Sequence, residues 1–175
     1  MKVDPSLIHR LFYPQVPVVL SAMAGKRVSA MPVVSYASVS DAPPMIAVSS
    51  VPSHYTCKLA LEAGCFSLCI LDREHAGAIA RLASVSGSKV EDKLADAGLK
   101  HTRGEKLKVP VIQGASATLE CSLAAKRKFG DHMLLVGEVR SARATEAFDG
   151  FWDFARYRPL LYTGWRGGLT TLSGA

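Results

Sequence analysis

At 175 residues the chain can bury roughly two thirds of its unfolded surface without disulfides or metals, and it is expected to form one domain over residues 1–175. Hydrophobic residues make up 49% and charged residues 21%, a balance too apolar for a disordered chain. The 21 Lys and Arg against 15 Asp and Glu give a net charge of +6, which favours anionic partners.

The one dense basic tract, Lys126-Arg127-Lys128, is short and has no aromatic interleaving, so it reads as a solvated hairpin end and no nucleic-acid partner is expected. Cys57, Cys65, Cys69 and Cys121 lack C-x-x-C spacing, which argues against a zinc ribbon or a dithiol motif and for reduced thiols. None of His9, His54, His75, His101 and His132 forms a metal-binding pattern, and no metal is expected. The N-terminus has no signal-like apolar core and no run approaches about 18 apolar residues, so the expected location is cytoplasmic, with no membrane partner.

In chain order, Asp4-Pro5 predicts a capped opening helix that ends before Pro14. Residues 17–23 (PVVLSAM) and Arg27 to Val34 predict a hairpin, with Pro32 making the second strand an edge or a broken strand. Ser40 to Pro44 is a turn cluster and Met45 to Ser50 a buried strand. A helix with Ser53 as N-cap and Gly64 as C-cap should follow, then a strand from Cys65 to Leu71. Helices are expected over Glu74 to Ala83 and Val90 to Ala97, and a polar loop over Leu99 to Lys108. Ala115 to Ala125 and His132 to Arg140 predict a second hairpin, connected by KRKFGD. Short strands without βαβ alternation favour a closed or partly closed antiparallel barrel.

Chemistry concentrates in residues 29–58. A helix start at Ser53 turns free N–H groups and the positive end of the dipole outward, beside the hydroxyls of Ser49, Ser50, Ser53 and Thr56 and the cation of Lys58. Such a set either holds a phosphate or merely caps a helix. Residues 29–38 (SAMPVVSYAS) offer hydroxyls and small side chains to a flat ring, or form an ordinary Ser-rich edge. No G-x-S-x-G, P-loop or G-x-G-x-x-G is present, and Gly164 to Gly168 (GWRGG) has too little chain after it to build a Rossmann helix.

The order of these motifs resembles the flavin reductase-like family. It runs from PVVLSAM through SAMPVVSYASVSDAPPMIAVS, the S-x-x-T-x-K of Ser53, Thr56 and Lys58, EAGCFSLCIL, Asp92-Lys93, GASATLECSL and GDHMLLVGEV to RPLLYTGW. The resemblance implies a mainly β fold with peripheral helices, a six-stranded antiparallel Greek-key split barrel of the FMN-binding type, and a homodimer. It implies FMN as cofactor, with Ser29, Ala30, Met31, Pro32, Val33 and Ser35 along the ring and ribityl chain, and Ser49, Ser50, Ser53, Thr56 and Lys58 at the phosphate. His132 would lie on the nicotinamide-nucleotide side. Ser29 and Cys69 stand where many members have Asn. The implied activity is NAD(P)H-dependent flavin reduction with NADH or NADPH as co-substrate and an oxygenase or electron-transfer protein as redox partner; the alternative is a flavoredoxin-like carrier with no nicotinamide site. No catalytic side chain is required, because the flavin carries the chemistry.

Overall fold

Strand β1 (Val18–Ala24) is buried from Val18 to Ala22, so both of its faces need a core. Its alternation supplies two: Val18, Leu20 and Ala22 point into one cluster and Val19 into another. The computed structural model describes residues 2–164 and 166–172, and this division runs through the sheet at the centre of the fold.

The chain opens with the expected capped helix, a 3-10 helix over Pro5–Phe12 with the Asp4 carboxylate accepting from the Ser6 N–H. β1 then pairs with β2 (Arg27–Val33), followed by β3 (Tyr36–Asp41) and β4 (Pro44–Ser50). Helix α1 (Tyr55–Ala63) leads into β5 (Cys65–Ile70), and α2 (Ala76–Ser84) and α3 (Lys93–Asp96) follow. β6 (His101–Arg103) pairs with β7 (Pro110–Ile112), β8 (Ala117–Phe129) with β9 (His132–Ala144), and β10 (Leu160–Tyr162) with β11 (Leu169–Thr171). The resemblance segment RPLLYTGW ends at Trp165, which lies outside the described residues.

The main sheet is antiparallel and has seven strands in the order β2-β1-β5-β8-β9-β4-β3, one more than the expected six. The extra strand comes from a break. β2 and β3 are consecutive, separated by Val34 and Ser35; the first half pairs with β1 and the second with β4. Together they act as one bent stave, and its bend closes the barrel. The inner core holds Leu20, Met31, Val48, Phe66 and Leu135, capped by Cys57, Leu59 and Ala60 of α1. The outer core packs Val28, Ala30 and Cys69 of the sheet against Ile79 and Leu82 of α2 and Leu94 of α3.

Several local expectations are corrected. The α1 N-cap is His54, one residue beyond Ser53, and makes no side-chain cap hydrogen bond, whereas Gly64 closes the helix in the left-handed conformation as expected. The helix expected over Val90 to Ala97 is confined to Lys93–Asp96, and the expected loop after Leu99 contains β6. Lys126, Arg127 and Lys128 are exposed, but they belong to β8 rather than to a turn.

Candidate functional site

The bend between β2 and β3 opens a cleft of about 500 Å³. Met31, Pro32, Val33, Val34 and Ser35 form one wall; Ser49 and Ser50 at the end of β4, with Val51 beyond them, form the next. The start of α1 contributes Ser53, His54, Tyr55 and Thr56, and His132 stands at the beginning of β9. A hydrogen bond from the Ser49 N–H to the Ser35 carbonyl, 2.8 Å long, ties the first two walls together.

Of the twelve residues named from the sequence, Met31, Pro32, Val33, Ser35, Ser49, Ser50, Ser53, Thr56 and His132 thus line one cavity. Three do not. Ser29 is fully buried, and its hydroxyl shares a 2.8 Å hydrogen bond with Thr56 Oγ1. Ala30 faces the outer core. Lys58 is exposed one turn into α1, and its backbone N–H donates to the His54 carbonyl.

The fourth wall comes from residues that no local sequence pattern marks. Leu82 to Gly87, the end of α2 and the segment after it, fold over the cleft, and Lys93 reaches it from α3. Gly87 is buried, and a Cβ there would collide with the Ser29 hydroxyl, so this segment sits against β2 as closely as glycine allows. Lys93 is only 4% exposed, and its ammonium has no hydrogen bond or ion pair within the described residues. Burial pushes its pKa below the ordinary lysine value, against the pull of Asp96. Asp96 is itself held by Arg81 through bonds of 2.9 and 3.1 Å.

Lys93 is fixed from behind. Asp92 caps α3, its Oδ1 accepting from the Ala95 N–H at 3.0 Å, while Oδ2 meets His101 Nε2 at 2.7 Å. Burial works against the Asp92 carboxylate, but the Ala95 N–H and the His101 ring outweigh it and hold its pKa below the usual value. At the opposite rim, His132 Nδ1 lies 2.7 Å from Asp131 Oδ1.

The cleft therefore combines a flat apolar and hydroxyl-bearing edge, the N-terminal turn of a nine-residue helix without a side-chain cap, and a largely buried lysine whose ammonium has no hydrogen-bond or ion-pair partner among the described residues. An anion-bearing planar ligand fits this donor set, and FMN has both parts. Among the described residues, no group of three or more His, Cys, Asp and Glu could hold a metal ion.

Barrel and cleft together define a split barrel of the FMN-binding type. Residues 9–170 match the family described as "Flavin reductase like domain", and the chain belongs to that family. An uncharacterized protein of Aeropyrum pernix is 36% identical over 158 residues, which cover 90% of this chain and 60% of that protein, so the match spans less than two thirds of the relative's length. Among solved structures, an FMN-binding protein from Thermus thermophilus with bound 1-cyclohex-2-enone superposes with a TM-score of 0.82 at 30% identity, covering 100% of this chain and 96% of that one. A flavoredoxin from Methanosarcina acetivorans superposes with a TM-score of 0.87 at 26% identity, covering 100% and 92%.

Proposed function

We propose that the cleft binds FMN and that the protein is an NAD(P)H-dependent flavin reductase that passes electrons to a partner oxygenase or electron-transfer protein. The observation that carries the flavin reading is Lys93, a side chain 4% exposed whose ammonium has no hydrogen-bond or ion-pair partner among the described residues, on the wall of a cleft otherwise lined by hydroxyls, small residues and a helix start. An unpaired buried cation costs stability, and an anionic or strongly accepting ligand offsets that cost.

Met31, Pro32, Val33 and Ser35 would flank the ring, with Ser29 and Ala30 supporting that edge from within. Ser49, Ser50, Ser53 and Thr56 would hold the phosphate, with Lys58 reaching over from the exposed side of α1. FMN bound there supplies the redox chemistry, accepting hydride from NADH or NADPH. The chain's own task is to orient the ring, exclude water from one side of it and leave the His132 rim open to the nicotinamide. A cytoplasmic homodimer completes the proposal: β3 is an edge strand with Tyr36 and Val39 exposed, and the opening helix leaves Leu11 and Phe12 65% and 68% exposed.

The flavoredoxin-like alternative, a carrier with no nicotinamide site, draws on the Methanosarcina likeness. Absorbance of the purified protein and oxidation of NADH and NADPH, with and without added FMN, separate the readings. A yellow protein that oxidises either nicotinamide supports the reductase. A yellow protein inert to both supports the carrier, and a colourless one that takes up no FMN overturns both.

A further inference from the structure

A second cavity, of about 290 Å³, lies behind the cleft. The two share a wall, since Pro32, Val34 and Ala83 line both. The second cavity is assembled where the segment around Tyr13 meets β10 and β11. Gln15 and Tyr162 exchange backbone hydrogen bonds of 3.2 and 2.7 Å, which stand the Tyr13 and Tyr162 rings edge to face with centroids 5.1 Å apart. A side chain at Gly164 would collide with the Tyr13 ring, so the glycine is what lets that ring sit where it does.

The lining specifies an occupant. Among the described residues no charged side chain lines the cavity, so it offers a charged ligand no counter-ion. Rigid Pro17 and Pro32 and the two aromatic rings form walls that suit a flat, rigid ligand better than a flexible chain, and the volume is at the small end for ligand pockets. The Tyr13 and Tyr162 hydroxyls engage no other group among the described residues and are available to a polar substituent. Burial raises the Tyr13 pKa and the neighbouring Tyr162 adds to the rise, together outweighing the nearby Arg10 charge, which keeps that hydroxyl a neutral donor.

We propose that this cavity is a binding site for a neutral phenol or quinone of one or two rings, seated against the wall it shares with the flavin cleft. The inference rests on the flavin reading for its optical signal but not for binding itself. Ala80 lines the second cavity and not the cleft, and it lies one turn before the shared Ala83 on α2.

Naphthol titrated into the FMN-loaded protein should bind saturably by calorimetry and shift the flavin absorption bands, whereas naphthalene sulfonate should do neither. Ala80→Phe, which fills the cavity, should weaken naphthol binding at least tenfold and leave FMN affinity unchanged. Naphthol binding that is absent, or equally tight in Ala80→Phe with FMN still bound, would overturn the proposal. If FMN fails to load, the flavin reading falls by itself, and calorimetry with naphthol on the flavin-free protein and on Ala80→Phe still decides the cavity. Should Ala80→Phe lose its fold by circular dichroism, Leu169→Trp fills the cavity from β11, and unaltered naphthol binding in it would likewise sink the idea.

Discussion

The Ser29 and Thr56 hydroxyls meet at 2.8 Å inside the protein, joining strand β2 to the start of helix α1. Both residues are buried, so the bond has no water to replace it. Ser29→Ala leaves Thr56 Oγ1 without its partner and should cost about 1–2 kcal/mol of stability, read from a urea midpoint. FMN affinity should change little, because the Ser29 side chain does not line the cleft. A large loss of affinity with unchanged stability would make Ser29 a direct ligand.

Lys93 gives a prediction with the opposite sign for stability. Burial lowers its pKa in the folded state, so between that lowered value and the ordinary 10.5 the unfolded chain binds more protons. Stability of the flavin-free protein therefore rises with pH across this window, and it is lowest where the ammonium is fully charged. Lys93→Met should stabilise the flavin-free protein by about 1–3 kcal/mol and flatten its alkaline rise. The same variant should weaken FMN by about tenfold, or ~1.4 kcal/mol. Urea midpoints measured at neutral and alkaline pH, with FMN titrations alongside, check both halves.

Lys58 tests the phosphate end. Lys58→Ala should reduce FMN affinity while leaving riboflavin affinity unchanged, because riboflavin has no phosphate for an ammonium to meet. Equal losses for both flavins would place Lys58 away from the phosphate. The exposed position of Lys58 makes the variant structurally benign, so a fold defect will not confuse the reading.

Glu120 is a pure test of stability. Its buried carboxylate accepts from the backbone N–H groups of Glu105, Lys106 and Leu107 at 2.8 to 2.9 Å, holding the segment between β6 and β7. It also stands against Cys121, whose thiol is pushed up to about 12, first by burial and then by this neighbouring charge. Glu120→Ala should lower stability by about 2–4 kcal/mol in chemical denaturation, with FMN affinity intact once folded.

What the sequence revealed follows from where the information lies. β1, β2, β4, β5 and the β8–β9 hairpin carry buried apolar residues or clear alternation, so local pattern suffices for them. β3 was hidden because its residues are mostly exposed, and only its pairing with β4 makes it a strand. The nine named residues that line one cavity sit on segments 31–35 and 49–56 and at His132; the hydroxyls of 49–56 carry a local signal, whereas residues 31–35 and His132 rest on the family resemblance. Lys93 carries no local signal as a cleft residue, since a lysine in the polar run Glu91-Asp92-Lys93 looks solvated until tertiary packing buries it. The Leu82 to Gly87 wall left no signal of its own, because its role depends on Gly87 meeting Ser29, some sixty positions away in the chain.

The bend at Val34 and Ser35 ties the shape of the cleft to the closure of the barrel. The Ser35 carbonyl that receives the Ser49 N–H is both a rung of barrel closure and part of the cleft rim. Widening the mouth for a bulkier guest would unzip that rung and loosen the stave behind it. The pocket is consequently a keyhole whose size is set by the barrel's own seam.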